Sequence, residues 1–249
     1  MNLNNIKFTV LLPVLDREDI FKGLPSAIES IFNNSVKPSQ VVVTVDGYAS
    51  NKFKNLISIY EKKYSLDLIW IKNRVGLDKA LNIGLANCKN EIVFRADGDD
   101  FNINNRFEIQ LPFLLEGYDI VGSDIDEYDE NNIFISTKKV PNTNFEIAKQ
   151  IRYRNPINHM TVGFKKSLVL NAGGYPQLFL KGDYGLWIKL FAKGLKFKNI
   201  SKSLVKAKTG RRMIKDRGGI RYIISEFLLQ KYLYSYGLTN IFIAFFIFL

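Results

Sequence analysis

Cysteine and histidine are almost absent from this chain of 249 residues, which contains only Cys88 and His159. A single cysteine cannot form an internal disulfide, and this pair cannot supply the four ligands of a structural zinc site. The sequence therefore argues against a disulfide-stabilised secreted protein and against a zinc-binding domain. We expect a reducing, cytoplasmic environment.

Long apolar runs are also lacking. The N-terminal stretch FTVLLPVL is interrupted by Pro13, and the acidic DRED follows it without a small-residue cleavage site, so we interpret it as a first strand rather than a signal peptide. The chain closes on nine apolar residues, IFIAFFIFL, whereas a helix that crosses a bilayer needs ~20. A basic, aromatic segment precedes this end, which indicates contact with a membrane surface; packing into the protein's own core is the alternative.

Acidic residues are scarce in the second half of the chain. Residues 1–140 hold 16 Lys and Arg against 20 Asp and Glu, a net charge of −4, whereas residues 141–249 hold 19 against 4, a net of +15. This asymmetry predicts an anionic partner: a nucleic acid, a phosphate-bearing substrate or an acidic membrane.

Four β-rich runs alternate with helical patterns in the first hundred residues: IKFTVLLPV, SQVVVTVDG, LDLIWIK and NEIVFRADGDD. This order predicts an α/β fold with a mainly parallel central sheet flanked by helices. The carboxyl ends of such strands share one edge, where ligands bind. We expect one domain over residues 1–201, divided near residue 100, and a basic, aromatic, partly helical extension over residues 202–249. The residues predicted at the shared edge are Pro13, Asp46, Asn73 and Asp97.

The stretch RADGDD places Asp97, Asp99 and Asp100 directly after the fourth predicted strand. Carboxylates this close repel one another and favour a nearby cation, and Mg²⁺ or Mn²⁺ prefers such oxygen ligands. An ordinary acidic turn is the alternative, since a lone D-x-D pattern is common. A calcium-binding loop is excluded, because Asn102 stands where that loop requires glycine. The sequence also lacks G-x-S-x-G, Walker and G-x-G-x-x-G patterns.

Several stretches together resemble one family, the inverting family-2 glycosyltransferases with the GT-A fold, in the bacterial branch that builds surface polysaccharides. They are GLDKALNIGLANCKNEIVFRADGDDFNINNRFEIQ, DIVGS, NPINHMTVGFKKSLVLNAGGY and GDYGLWIKLFAKGLKFKNIS. The resemblance extends from about Phe8 to Gly219. It implies a nucleotide-sugar-binding half over residues 1–100 and an acceptor-binding half over residues 101–201.

The resemblance assigns roles to the residues at the predicted sheet edge. Asp97 and Asp99 match the family's D-x-D motif, which holds Mn²⁺ or Mg²⁺ and, through it, the diphosphate of a nucleotide sugar, with Asp99 as the more direct ligand. Asp46 matches the carboxylate that recognises the base. The remaining predicted donor contacts are Pro13, Asp16, Arg17, Lys79 and Arg95. Solvated surface charge is the alternative for Lys79.

The resemblance also implies a catalytic base at Asp183 in the string GDYGLW. Family members carry this base in an acidic pair, whereas Gly182 occupies the neighbouring position here. From its position alone, a single carboxylate at a helix start is more typical of a cap. His159 and Trp187 match acceptor or donor-sugar contacts, and Arg211 and Arg212 are predicted acceptor contacts. The stretch GRRMIK lacks the metal-binding histidine of many relatives, so the metal would rely on Asp99, the diphosphate and water.

The predicted function is metal-dependent, inverting transfer of a sugar from a nucleotide donor, with a UDP-sugar expected, to a lipid-linked saccharide in O-antigen or capsule synthesis. The basic half suits a polyprenyl diphosphate acceptor, and we expect a peripheral enzyme on the inner face of the cytoplasmic membrane, with no nucleic-acid partner. A sugar-nucleotide pyrophosphorylase is one alternative, although LLPVLDRED lacks its glycine-rich, arginine-containing loop. A basic nucleic-acid-binding protein is the other, favoured by charge alone.

Overall fold

A single sheet organises the computed structural model, which describes residues 3–209 and 219–240. Its strand order is β3-β2-β1-β4-β8-β6-β9-β5, with β7 paired to β6. The strands are β1 (Phe8–Val14), β2 (Gln40–Asp46), β3 (Asp67–Ile71), β4 (Ile92–Arg95), β5 (Phe101–Asn102), β6 (Ile120–Tyr128), β7 (Phe134–Lys138), β8 (Gly163–Lys165) and β9 (Phe197–Lys208).

The first half of the sheet is parallel, as predicted. Strands β1, β2, β3 and β4 pair only in parallel with one another, so their carboxyl ends meet at one edge. Every residue of β1 and β2 is buried. Continuous apolar runs such as VVVTV are typical of parallel strands that are covered on both faces.

The second half of the sheet is mixed rather than parallel. Strand β8 pairs antiparallel with β4 and β6, and β5 pairs antiparallel with β9. Strands β6 and β7 form a hairpin, whose turn contains Asn132 with a φ of 62°. In the stretch HMTVGF, His159–Thr161 forms a 3-10 turn, and Gly163–Lys165 joins the sheet as β8.

Helices cover both faces of the sheet, which gives two layers of core. Alternate side chains of β1 point to opposite faces: Val10 and Leu12 pack with α1, α2 and α4, and Leu11 packs with the other helices. The described helices are α1 (Glu18–Phe32), α2 (Asn51–Tyr64), α3 (Leu77–Ala86), α4 (Arg106–Leu115), α5 (Asn144–Gln150), α6 (Lys166–Asn171), α7 (Gly182–Ala192) and α8 (Ile220–Ser235).

Strand β9 crosses the domain boundary that the sequence suggested after residue 201. It stays paired in parallel with β6 as far as Lys208, with register shifts around Asp124. Residues 202–208 therefore belong to the sheet and not to an extension, because their backbone groups complete its hydrogen-bond ladder. Beyond them, α8 packs on α7, burying Leu229 and Leu233. The predicted apolar end, residues 241–249, lies outside the described residues.

Candidate active site

Two carboxylates fix the loops at the ends of β1 and β2. Asp16, two residues after β1, accepts a hydrogen bond from the Ser50 amide at 2.7 Å. Asp46, the last residue of β2, accepts from the amides of Val75 and Gly76 at 2.8 and 2.9 Å. Gly76 has a φ of 88°, a conformation that glycine adopts without strain. At the edge where β1 and β2 end, the Asp46 bonds hold the loop before α3 and the Asp16 bond holds the start of α2.

The RADGDD turn packs tightly against α1. A Cβ atom at Gly23 of α1 would lie 2.7 Å from the Asp99 Cα atom, and one at Gly98 would lie 3.0 Å from Val14. Glycine at both positions therefore lets the helix and the turn approach closely. This packing fixes the backbone of the turn, and with it the positions from which Asp97 and Asp99 extend.

Arg95 forms an ion pair with Asp97 beneath the turn. It is only 2% exposed, and its Nε and Nη1 atoms have no hydrogen-bond partner among the described residues. A buried cation with unsatisfied donors favours negative charge nearby, and Asp97 supplies part of it. The guanidinium thus lies behind Asp97 and has almost no surface of its own for a phosphate to touch.

In the part of the chain that the structure describes, neither Asp99 nor Asp100 forms an ion pair of this kind, although the charge of Arg17 acts on Asp99 and that of Arg95 on Asp100. Burial raises the pKa of Asp99 to about 6, and the negative charge of Asp97 adds to the shift. The pKa of Asp100 lies well above its usual range, again through burial first and then the neighbouring carboxylates. Asp100 accepts a hydrogen bond from the Lys208 amide at 3.0 Å, so it ties the turn to the end of β9. The sequence offered no role for this residue.

A cavity of about 630 Å³ opens at Asp99 and is also lined by Arg17 and Lys208. A second, of about 470 Å³, shares Asp99 and adds Lys206, together with the rings of Phe101 and Tyr128. Lys206 and Lys208 alternate along β9 and so share one face of the sheet. Sequence analysis missed both lysines, although the alternation in LVKAKT was a signal of a strand.

The predicted base, Asp183, lies in the first turn of α7. Its Oδ2 atom accepts a hydrogen bond from the Asn155 side chain at 2.7 Å. Burial raises the pKa of Asp183, while the Tyr184 amide, Asn155 and Arg95 oppose that shift. A carboxylate with a raised proton affinity, held in place by an amide, suits proton abstraction.

A second carboxyl group fills the space beside Gly182. A Cβ atom at Gly182 would overlap the Asp78 carboxyl group, including both of its oxygens. Burial, followed by the negative charge of Asp183, raises the pKa of Asp78 to about 7. Asp78 belongs to the first turn of α3, about a hundred residues earlier in the chain, and sequence analysis did not select it.

His159 lies at the centre of a small polar and aromatic group. Its Nε2 atom is 3.1 Å from the Tyr175 hydroxyl, and burial together with Arg95 lowers its pKa well below the usual value. Trp187 packs edge-on to His159 but is 0% exposed. The predicted contact between Trp187 and a sugar is therefore corrected: a fully buried ring supports His159 from below and has no surface for the acceptor.

Next to Asp183 is a cavity of about 530 Å³. Its lining combines cationic and aromatic side chains with the base, a composition suited to an anionic sugar-bearing ligand. These lining residues are Lys138, Tyr153, Arg154, Lys181, Tyr184 and Tyr222. Sequence analysis had not selected any of them.

The remaining predicted contacts are less well defined by the structure. Lys79 is exposed in the first turn of α3, which agrees with surface charge as well as with a phosphate contact. Arg211 and Arg212 lie outside the described residues.

The RADGDD turn suits a divalent cation whose other ligands are mostly substrate phosphates and water. Within residues 3–209 and 219–240, no group of three or more His, Cys, Asp or Glu side chains is arranged to hold a metal. Asp97 and Asp99 nevertheless offer carboxylate oxygens close together, and Asp99 has no cationic partner on its own turn. Mg²⁺ is often bound by one or two carboxylates plus substrate phosphates and water.

Solved structures show the same fold. TarS from S. aureus in complex with UDP superimposes with a TM-score of 0.67 at 16% identity, covering 92% of this chain and 65% of that chain. The mannosyltransferase PcManGT from Pyrobaculum calidifontis, in complex with GDP-Man and Mn²⁺, gives a TM-score of 0.60 at 14% identity, with 94% and 64% covered. This chain thus spans slightly less than two thirds of those solved chains. Their architecture is the GT-A fold.

Two curated relatives are similar over most of their length. A UDP-Gal:alpha-D-GlcNAc-diphosphoundecaprenol beta-1,3-galactosyltransferase of Escherichia coli is 36% identical, with 92% of this chain and 83% of the relative covered. The amylovoran biosynthesis glycosyltransferase AmsE of Erwinia amylovora is 31% identical, with 90% and 84% covered. The pattern of Glycosyl transferase family 2 matches residues 9–169. The chain is a bacterial-type glycosyltransferase and belongs to glycosyl transferase family 2.

Proposed function

We propose that this enzyme transfers a sugar, with inversion, from a UDP-sugar to a lipid-linked saccharide, in a reaction that requires Mn²⁺ or Mg²⁺. One observation carries the proposal: Asp97 of the D-x-D turn and Asp183 are both near enough to Tyr175, whose hydroxyl lies 3.1 Å from His159 Nε2, for their charges to raise its pKa. The names of the relatives, with UDP-Gal as donor and diphosphoundecaprenol in the acceptor, support the substrate classes.

Asp97 and Asp99 would hold the metal. When bound, a divalent cation neutralises the charge that develops on the departing nucleoside diphosphate. Arg95 adds positive charge from behind Asp97, and Asp16 and Asp46 hold the loops against which the nucleotide would lie. In this arrangement the donor occupies the carboxyl ends of β1, β2 and β4.

Asp183 would act as the base. It accepts the proton of the acceptor hydroxyl while that oxygen forms a bond to the anomeric carbon of the donor sugar. The bond from this carbon to the diphosphate oxygen breaks on the opposite side, and the leaving group takes the electron pair. A single displacement of this kind inverts the configuration at the anomeric carbon. Asn155 keeps the carboxylate oriented during the step.

The cavity beside Asp183 would receive the acceptor. Arg154 and Lys138 supply positive charge for a lipid diphosphate, and Tyr153 supplies a ring on which a sugar can pack. Tyr222 and Glu226 bring α8 to the rim of the same cavity. The acceptor lipid would therefore leave the cavity along α8.

Helix α8 would rest on the cytoplasmic face of the membrane. Ile220, Ile223 and Ile224 are exposed at helical spacing, with Phe227 one turn further on, and the exposed Arg221 and Lys231 flank them. Apolar side chains with adjacent cations are typical of helices that lie in the headgroup region. No described helix is both long and apolar enough to cross a bilayer.

The decisive assay measures sugar transfer from a panel of UDP-hexoses to diphosphoundecaprenol-linked N-acetylglucosamine, with Mn²⁺ present or chelated. We expect transfer with one donor, its loss on chelation, and a fall of at least ~100-fold for Asp183→Asn and Asp99→Ala. The control is Glu61→Gln, which removes an exposed charge from α2. Full activity in chelator, or in Asp183→Asn, would contradict the proposal.

A further inference from the structure

Two carboxyl groups, not one, lie at the start of α7. The Asp78 carboxyl group comes from α3 and occupies the volume that a side chain at Gly182 would fill. Because Gly182 directly precedes Asp183, this carboxyl group packs against the residue next to the proposed base, near enough for the charge of Asp183 to act on it. Gly182 itself is buried, so its missing side chain opens no path to solvent.

We propose that Asp78 and Asp183 work as one proton acceptor, in which Asp183 takes the proton from the acceptor hydroxyl and Asp78 acts through it as a positioning residue. This inference rests on the proposed glycosyl transfer and assigns a role in it to a residue of a different helix.

The physical reason is the repulsion between two partly buried carboxylates. When both are ionised, each raises the free energy of the other, and one added proton removes that repulsion. Asp78 responds in this way, because burial and the charge of Asp183 together raise its pKa to about 7. An ionised Asp78 therefore makes Asp183 a stronger base than it would be alone.

The proton balance is simple. Before the reaction both carboxylates are ionised and no proton lies between them. As the acceptor oxygen bonds to the anomeric carbon, its proton moves to Asp183, and the diphosphate departs with the electron pair of the broken bond. The pair then carries one proton, which is its favoured state, and releases it to solvent before the next turnover.

Charges from three further elements act on this pair. Arg95 of β4 and Lys181, just before α7, favour the ionised form of Asp183. Tyr175, in the segment before α7, has its own pKa raised by burial and also by both acids. Asn155 is neutral and donates to Asp183. These groups oppose the rise in the pKa of Asp183 that burial causes, and an ionised Asp78 nearby would add to that rise.

Helix geometry offers a competing explanation for Asp78. An acid in the first turn of a helix is favoured by the helix dipole without any part in catalysis. In that case neutralising Asp78 would change stability or overall activity but would leave the pH dependence of turnover unchanged. The pH profile therefore separates the two explanations.

The first test is the pH profile of kcat for Asp78→Asn, a variant of nearly the same shape. In the wild-type enzyme we expect activity to rise with pH through about 7, where Asp78 loses its proton. In Asp78→Asn we expect the midpoint to move about one unit lower and the plateau of kcat to fall about 10-fold, because Asp183 alone is a weaker base. An unmoved midpoint, whether or not the plateau of kcat changes, would overturn the proposal.

The second test exchanges the two positions. Gly182→Asp alone should fold poorly, because its side chain overlaps Asp78. Asp78→Ala alone should lose about as much kcat as Asp78→Asn. The exchange variant Asp78→Ala/Gly182→Asp should regain most of that loss, because it returns a second carboxyl group beside Asp183. A folded exchange variant no more active than Asp78→Ala would count against the pair.

These results are distinguishable from failure of the proposed function. If Asp183→Asn retains full transfer, the assignment of the base itself is wrong. If Asp183→Asn is inactive while Asp78→Asn behaves as the wild-type enzyme at every pH, only the paired base is wrong.

Discussion

Arg106 is the clearest case in which one residue supports the site without touching it. It is fully buried on α4, where it donates to the Arg95 carbonyl at 2.8 Å and to Gln110 at 3.0 Å, and also contacts Asn102. Burial, reinforced by the charge of Arg95, lowers its pKa to about 9. The carbonyl it binds belongs to the first residue of RADGDD, so this guanidinium stabilises the turn that carries Asp97.

Arg106→Lys should therefore lower the free energy of unfolding by about 2–4 kcal/mol, because one ammonium cannot replace a planar group that reaches three partners. Urea unfolding followed by circular dichroism measures the change. The matched control is Arg152→Lys, at an exposed position after α5, for which we expect no more than ~0.5 kcal/mol. Equal stability of the two variants would contradict the role of Arg106 in stabilising the turn.

The raised pKa of Asp78 also predicts that the free energy of unfolding depends on pH. Its folded pKa of about 7 lies above the ordinary aspartate value of 3.8, so ionisation is harder in the folded chain than in the unfolded chain. The resulting loss of stability is absent below about pH 4. It grows as pH rises between the unfolded and folded pKa values and is complete above pH 7. Asp78→Asn removes it.

Because Asp78 is only partly buried, we expect Asp78→Asn to gain on the order of 1–2 kcal/mol relative to the wild-type enzyme between pH 5 and pH 8. Urea unfolding at both pH values measures the gain, and Glu61→Gln should show none. If the stability gained by Asp78→Asn decreased as pH rises, the raised pKa of Asp78 would not be its cause.

At the scale of elements, β8 and β4 approach closely at one glycine. A Cβ atom at Gly163 would lie 2.7 Å from the Phe94 Cδ1 atom and 3.2 Å from Leu114. Phe94 is fully buried among Phe8, Phe107 and Arg106, so its ring has little room to move. This contact joins the parallel half of the sheet to the mixed half.

Gly163→Ala should destabilise the protein by about 1–3 kcal/mol through overpacking. The double variant Gly163→Ala/Phe94→Leu, with a smaller side chain opposite, should lose less than the two single changes added together. Thermal and urea unfolding of all three variants give the coupling. Strict additivity would show that the ring and the glycine do not interact.

Elements differ in how far their sequence predicts them. Strands β1 and β2 are correctly predicted because, in an alternating α/β chain, an uninterrupted apolar run is typical of a parallel strand that is buried on both faces. Strand β9 was interpreted partly as a basic extension, because its lysines face the cavity at Asp99 and break the apolar pattern. The direction of β8 was not predictable, since three residues carry too little pattern to choose a partner strand.

At the scale of the whole molecule, α8 connects the acceptor cavity to the proposed membrane surface. Its inner face packs on α7 through Leu229 and Leu233, while Ile220, Ile223 and Ile224 remain exposed. Asp183 and the apolar side chains of α8 therefore lie on two helices that pack against each other.

The double variant Ile223→Ser/Ile224→Ser should weaken binding to phosphatidylglycerol vesicles, measured by sedimentation, by at least ~100-fold, because each fully buried apolar side chain contributes about 1.5–3 kcal/mol. Activity on a water-soluble acceptor analogue should be unchanged. Tyr48→Ser removes an aromatic ring that is 83% exposed elsewhere, and it serves as the control. Equal vesicle binding by all three proteins would exclude α8 as the contact.

The sequence by itself determined the order of strands and helices in the first hundred residues, the parallel first half of the sheet and the carboxylates after β4, because local periodicity and strand ends carry that information. Only the tertiary structure decided which distant residues meet. It placed Asp78 against Gly182, tied Asp100 to Lys208 and buried Trp187 beneath His159. The physical reason is that these contacts join segments far apart in the chain, and their register depends on how both layers of helices pack on one twisted sheet.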